Sequence, residues 1–170
     1  MPDMARRGIF GSLTSIVGQK KKETSPLRPP YVVSESLFHQ ECPSCEETPC
    51  VTVCEEAIIK IGEDHTPHLD FSKSGCTFCD ECANACPKAV LVLDESKPLS
   101  IKAKVILSTK TCVAWNDVIC SSCRDVCDER AIEFFGLTRP TVNEEKCTGC
   151  GFCYGVCPTY AIEIIARGEA

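Results

Sequence analysis

Short apolar runs separated by turns recur along this chain. Two pairs of such runs, each pair divided by a polar or glycine-containing turn, predict β-hairpins. The pairs are Ile58–Ile61 with His68–Phe71, and Ala131–Phe135 with Pro140–Val142. Ala89–Leu93 predicts a short buried strand. Apolar and polar residues alternate weakly over Ile101–Leu107, which is one more candidate strand. Small sheets of this kind, joined by short helices, indicate an α+β fold.

The first 34 residues follow a different pattern. Between Met1 and Gly18, five apolar residues fall within roughly 120° of a helical wheel, as on an amphipathic helix. The stripe consists of Ile9, Phe10, Leu13, Ile16 and Val17, with Arg6 and Arg7 before it and Lys20–Lys22 after it. We expect a basic docking helix that binds a partner; a disordered tail and a twin-arginine export signal are the alternatives. An export signal is disfavoured because glycines and hydroxyl residues interrupt the stripe and no A-x-A cleavage pattern follows. The Ser25–Pro30 stretch that comes next predicts an extended linker.

Cysteine is the most informative residue type here, with 16 in 170 residues. The cysteines fall into four groups of four, in a chain whose apolar content is modest once they are set aside. The groups are Cys42, Cys45, Cys50 and Cys54; Cys76, Cys79, Cys82 and Cys86; Cys112, Cys120, Cys123 and Cys127; and Cys147, Cys150, Cys153 and Cys157. The spacing from the first to the third group is 70 residues, and from the second to the fourth 71, so the chain contains an internal duplication.

The second and fourth groups have the spacing C-x2-C-x2-C-x3-C-P, which binds a [4Fe–4S] cluster in bacterial ferredoxins. Three closely spaced thiolates can surround one cluster on a single loop, and the fourth ligates the neighbouring cluster. Structural zinc and disulfides are the alternatives, and zinc rarely uses three cysteines at this spacing. The first group has a four-residue gap and the third a seven-residue insert, Val113–Ile119. The insert could move Cys112 away from its cluster.

The exchange of fourth cysteines between paired motifs predicts the ligand sets. Cys86 should complete the first group, Cys54 the second, Cys157 the third and Cys127 the fourth. All sixteen cysteines are thus expected to bind four [4Fe–4S] clusters. The predicted architecture is two tandem two-cluster ferredoxin modules. Residues 1–34 form the tail and linker, 35–95 the first module, 96–111 a connector and 112–170 the second module.

Charge and motif content exclude several classes of function. Residues 1–34 carry a net charge of +4, and residues 35–170 carry −10. An acidic body argues against nucleic-acid binding, which requires a basic surface. The chain has no apolar run of 18 residues, so no transmembrane segment is expected. We find no nucleotide-binding loop and no catalytic set of nucleophile and base, so the sequence does not indicate an enzyme.

The chain resembles the NapF family, the ferredoxin-type proteins of the periplasmic nitrate reductase system. The resemblance rests on Arg6-Arg7-Gly8, on Arg28-Pro29-Pro30 followed by Tyr31, and on the widened spacing of the third group. It implies a cytoplasmic protein with four [4Fe–4S] clusters. Such a protein would bind the precursor of NapA, the catalytic molybdenum subunit, and assist its maturation before export. An electron-transfer subunit or soluble polyferredoxin is the alternative.

Overall fold

The computed structural model describes residues 25–167. The predicted docking helix, with Arg6, Arg7, Ile9, Phe10, Leu13, Ile16 and Val17, lies outside the described residues. Within them the fold consists of short helices and small antiparallel sheets, as the α+β prediction requires. No helix in residues 25–167 has the length and apolar character needed to cross a membrane.

The helices are brief and the strands pair in twos. The α-helices are α1 (Glu35–Glu41), α2 (Pro49–Thr52), α3 (Glu81–Asn84), α4 (Ser122–Asp125) and α5 (Phe152–Gly155), and two 3₁₀ turns span Cys42–Ser44 and Val113–Asn116. The strands are β1 (Ile59–Ile61), β2 (Pro67–Leu69), β3 (Ala103–Leu107), β4 (Ile132–Phe135), β5 (Thr138–Val142) and β6 (Ile162–Ala166). Strands β1 and β2 pair antiparallel, as do β4 and β5, so both predicted hairpins are confirmed.

A segment near the start of each half of the chain pairs with a segment near the end of the same half. In the second half, residues 96–167, strand β3 lies antiparallel to β6, with Ala103 opposite Ala166 and Leu107 opposite Ile162. In the first half, residues 25–95, the equivalent pairing shrinks to one bridge between Val32 and Leu91. The sequence prediction of a buried strand over Ala89–Leu93 is therefore wrong except for this bridge: Val90 and Leu91 are buried, but Ala89 is exposed and left-handed. Leu93 is 41% exposed because no strand lies beside it in the described residues.

The segment interpreted as a linker is packed on the protein. We call residues 25–33 the N-terminal strap. The Arg28 guanidinium donates hydrogen bonds to Thr66 Oγ1 at 2.7 Å and to the Pro67 carbonyl at 2.8 Å. It also pairs with Glu35 and lies over the Phe38 ring, 4.5 Å from its centre. Residues 25–29 have no regular secondary structure and the chain turns at Tyr31 (φ +69°), but the strap is fixed because these partners replace the water that a free linker would bind.

The two halves pack against each other. The Phe71 ring of the first half lies against Gly151 of the second half. In the same way, the Phe152 ring of the second half lies against Gly75 of the first half. A Cβ atom at Gly75 would come within 2.6 Å of Phe152, so only glycine permits this approach. Ile101 and Ala103 are also buried in the same core as Phe38, Leu69 and Phe71. The arrangement as two tandem modules with the predicted boundaries stays a prediction.

Candidate metal centres

The sixteen cysteines line four cavities, four cysteines to each. Site 1 is lined by Cys42, Cys45, Cys50 and Cys86. Site 2 is lined by Cys54, Cys76, Cys79 and Cys82. Site 3 is lined by Cys112, Cys120, Cys123 and Cys157, and site 4 by Cys127, Cys147, Cys150 and Cys153.

Each cavity takes three cysteines from one group and the fourth from its partner group. Cys54 lies with the second group and Cys86 with the first. Cys127 and Cys157 are exchanged in the same manner. Each of these cysteines follows a short helix, and the helices pack in pairs, α2 with α3 and α4 with α5. The structure thus brings together the cysteine sets that the sequence predicted.

A repeated turn places the fourth cysteine of every group. The third residue after it adopts a left-handed backbone conformation, with φ close to +50° in all four cases, and its amide donates to the carbonyl of that cysteine. These residues are Ala57, Ala89, Arg130 and Tyr160. The turn reverses the chain within three residues, so that the strand or apolar segment that follows can pack beneath the cysteines. Its recurrence at non-glycine residues shows that the duplication extends to backbone conformation.

Backbone amides donate to several of the sulfur atoms. The Ala131 amide lies 3.3 Å from Cys127 Sγ, and the Ala161 amide lies 3.2 Å from Cys157 Sγ. In the second group, the Phe78 amide lies 3.4 Å from Cys76 Sγ. Hydrogen bonds of this kind stabilise negative charge on sulfur and are one determinant of cluster reduction potentials.

Both irregular groups keep their cysteines at the cavities. In the first group, the gap with its two extra residues contains a left-handed Thr48, after which Pro49 begins α2. In the third group, the insert forms the 3₁₀ turn Val113–Asn116, and Trp115 Nε1 donates to the Pro140 carbonyl at 2.9 Å. Cys112 is only 8% exposed and stays at site 3. The insert therefore does not move Cys112 away from its set.

Burial and crowding disfavour free thiolates at these sites. Burial, with neighbouring cysteines adding to it, raises the pKa of Cys82 and of Cys153 to about 12. The same causes raise the pKa of Cys42, Cys50 and Cys123 to about 11. Four such thiols become thiolates together only when a cation balances their charge, and metal binding then releases their protons. The sites consequently favour a positively charged metal group.

The geometry fits a metal cluster better than a single ion. Among residues 25–167, no three His, Cys, Asp or Glu side chains are placed to hold one metal ion. The four cysteines of each set line a cavity instead, and the loops of sites 2 and 4 have the regular ferredoxin spacing. A [4Fe–4S] cluster is held by four cysteine thiolates. The donor sets therefore fit this group at all four sites.

Three residues that are not cysteines line site 2, and the sequence did not predict this position for any of them. Tyr31 and Asp80 line the cavity beside the cysteines, as does Phe78. The Tyr31 hydroxyl donates to the Asp80 carboxylate, and burial followed by this bond raises the pKa of Tyr31 well above its usual value. A signal for these residues existed, because Phe78 and Asp80 occupy the positions of Gly149 and Gly151 in the fourth group.

Comparisons with known proteins agree with this geometry. The family described as "4Fe-4S binding domain" (Fer4) matches residues 140–163, within the second half. The ferredoxin-type protein NapF of Escherichia coli strain K12 is 32% identical over 164 residues, covering 94% of this chain and 93% of that protein. NapF of Haemophilus influenzae is 33% identical over 160 residues, covering 92% and 88%.

A second group of relatives has a different name. The methylamine utilization ferredoxin-type protein MauM of Methylorubrum extorquens is 30% identical over 166 residues, covering 86% of this chain and 74% of that protein. These relatives are all named as ferredoxin-type proteins, which are electron carriers or accessory proteins rather than enzymes. With its cysteine sites and a NapF similarity that spans nearly the whole chain, this iron–sulfur protein belongs to the NapF family of ferredoxin-type proteins.

Proposed function

We propose that this chain is a cytoplasmic accessory protein that carries four [4Fe–4S] clusters and assists the maturation of NapA before its export. The partner would be the precursor of NapA, the catalytic subunit of periplasmic nitrate reductase. The observation that supports the cluster assignment is the distribution of sixteen cysteines over four cavities, four to each. Membership of the NapF family supports the choice of partner.

The proposed ligands are the sets that line sites 1 to 4. A [4Fe–4S] cluster bound there would supply one-electron redox chemistry at a potential set by charge, hydrogen bonds to sulfur and exposure. The chain's own residues bury Cys82, Cys112 and Cys153, and they direct backbone amides at the sulfur atoms of Cys76, Cys127 and Cys157. Cys79 is exposed, whereas the other fifteen cysteines are half-buried or buried.

Iron analysis tests the number of clusters and their ligands together. Anaerobically purified protein should contain about sixteen iron and sixteen sulfide atoms per chain if four cubane clusters are present. The variants Cys42→Ala and Cys86→Ala should each lose about four iron atoms, and so should the double variant, because both residues belong to site 1. The matched pair Cys42→Ala with Cys54→Ala should lose about eight. Additive loss in the first pair would contradict the shared site.

We further propose that the N-terminal residues dock on the partner. The apolar stripe from Ile9 to Val17 and the flanking basic residues suit a helix that binds in a protein groove. The acidic body of the chain would be repelled by an anionic membrane surface, which favours a protein partner. Arg28 ties the adjoining strap to the first half, so a docked tail would hold the cysteine sites near the partner.

Capture of the NapA precursor from anaerobic cytoplasm tests this role. Deletion of residues 2–20 should leave iron content and visible absorption unchanged but reduce capture. Leu13→Asp should act similarly because it places a charge in the apolar stripe. Ser12→Asp is the matched control, since it adds the same charge on the polar face of the predicted helix. Equal capture by the deleted and intact proteins would count against the docking helix. Recovery from the periplasm would contradict the cytoplasmic location.

A soluble electron carrier is the second candidate function. The similarity to MauM, another ferredoxin-type protein, favours it. A carrier should be reduced and reoxidised rapidly by a redox partner, without lasting capture of an unexported precursor. Stopped-flow absorption separates the two functions, because reversible bleaching at a catalytically useful rate would be seen only for the carrier.

A further inference from the structure

The loops of sites 2 and 4 have the same backbone conformation but different residues. Both loops place the second residue after their first cysteine, and the residue after their second cysteine, in the left-handed region. At site 4 these residues are Gly149 (φ +73°) and Gly151 (φ +90°). At site 2 they are Phe78 (φ +54°) and Asp80 (φ +66°). Glycine adopts this region freely, whereas a residue with a Cβ atom is strained there and needs support from its surroundings.

One side chain outside the cysteine groups contacts both strained residues. The Tyr31 hydroxyl donates to Asp80 Oδ1, and its oxygen lies 3.3 Å from the Phe78 carbonyl oxygen. These two contacts lie on either side of Cys79, the exposed cysteine of site 2. The hydroxyl bond to Asp80 therefore holds the loop directly after a proposed ligand, and the Phe78 carbonyl directly before that ligand is within reach of the same O–H group.

Tyr31 is itself held in place by the first half. The Val92 amide donates to the Tyr31 carbonyl at 2.8 Å, next to the Val32–Leu91 bridge. The Tyr31 ring lines the cavity of site 2. Because the strap is anchored at Arg28 as well, the hydroxyl approaches the loop from a rigid support.

We propose that Tyr31 is a positioning residue for the iron–sulfur cluster of site 2. Its hydroxyl holds Phe78 and Asp80 in the conformation that Gly149 and Gly151 adopt unaided at site 4. This inference rests on the proposed function, since it assumes that site 2 binds a cluster. It assigns to the strap a role in holding iron, in addition to its packing on the first half.

The test is iron retention in the full-length protein purified without oxygen. Tyr31→Phe removes the hydroxyl and keeps the ring. Loss of a hydrogen bond to a charged group should speed chelator-driven release of about four of the sixteen iron atoms by roughly tenfold. The electron paramagnetic resonance spectrum of the reduced protein should change in one cluster component only. Tyr160→Phe is the matched control: Tyr160 is left-handed like Tyr31 (φ +69°), but its side chain is 85% exposed, and only its backbone amide takes part in the turn at Cys157.

A glycine rescue separates positioning from simple packing. Phe78→Gly together with Asp80→Gly, added to Tyr31→Phe, should return iron release to the wild-type rate, because the loop then needs no support. Release from Tyr31→Phe at the rate of Tyr160→Phe would overturn the proposal, and so would failure of the rescue while the other twelve or so iron atoms stay bound. If the wild-type protein itself lacks about sixteen iron atoms, the proposed function fails instead.

Discussion

The two halves of the chain have the same cysteine pattern but stabilise it by different means. In the second half, five residue pairs between β3 and β6 close the structure. In the first half, one bridge between Val32 and Leu91 remains, and the strap fixes it through Arg28. Backbone hydrogen bonds between two strands thus stabilise the second half, whereas hydrogen bonds from the buried Arg28 guanidinium stabilise the first.

The hairpin tips differ as well. The β1–β2 turn is polar, with Glu63, Asp64 and His65 exposed, whereas the β4–β5 turn exposes Phe135 by 81% and Leu137 by 73%. The four cysteine cavities are nevertheless alike in both halves. Cysteine spacing thus constrains only the loops that touch the cavity, and the supporting residues vary as long as they hold those loops.

Removal of iron should have the largest effect on stability. It should destabilise both halves, so that the difference in how they are stabilised no longer matters. Within residues 25–167, the three buried clusters of apolar residues each include cysteines, so loss of the metal would disturb the packing of all three. When a site does not exist in the unfolded chain, the free energy of metal binding contributes directly to folding. We expect anaerobic chelation to abolish cooperative thermal unfolding followed by circular dichroism. An apo-protein with the melting transition of the holo-protein would contradict this expectation.

Gly151→Ala should have the next largest effect, because it disrupts the packing contact between the two halves. The added Cβ would overlap the Phe71 ring, at a residue whose φ is +90°. We expect a loss of about 2–4 kcal/mol in unfolding free energy, measured by denaturant titration of the holo-protein. Gly155→Ala is the control, since its Cβ would lie 3.6 Å from the nearest atoms. Equal losses in the two variants would show that the contact between the halves is not specific.

Arg28→Met should weaken the first half selectively. The substitution keeps the aliphatic stem but removes the hydrogen bonds to Thr66, to the Pro67 carbonyl and to Glu35. We expect a loss of about 2 kcal/mol and faster hydrogen exchange in residues 25–35 than in β3 and β6. Arg167→Met, which removes an exposed pair with Glu144, should cost less than about 1 kcal/mol. Equal exchange in both halves would contradict the anchoring role of Arg28.

Trp115→Phe should give the smallest effect and should be confined to the second half. It removes the hydrogen bond from Nε1 to the Pro140 carbonyl, which ties the insert to β5. We expect a loss of about 1 kcal/mol in denaturant titration, without loss of iron, because Cys112 remains buried at site 3. Release of iron from site 3 would show that the insert positions Cys112 through this bond.

The sequence by itself determined the features that depend on local spacing. Cysteine groups at ferredoxin spacing indicated the cavities and the exchanged fourth cysteines, and alternating apolar runs indicated both hairpins. These features are readable because a loop around a metal group and a two-strand turn each involve only neighbouring residues.

Only the tertiary structure decided which other residues support the sites. Composition made the strap resemble a linker, yet Arg28 meets Thr66 and the Pro67 carbonyl 38 and 39 residues away. Tyr31 likewise reaches Asp80 across 49 residues. Such contacts leave no periodic pattern in the sequence, because the free energy of a buried hydrogen bond depends on what the fold brings together and not on spacing along the chain.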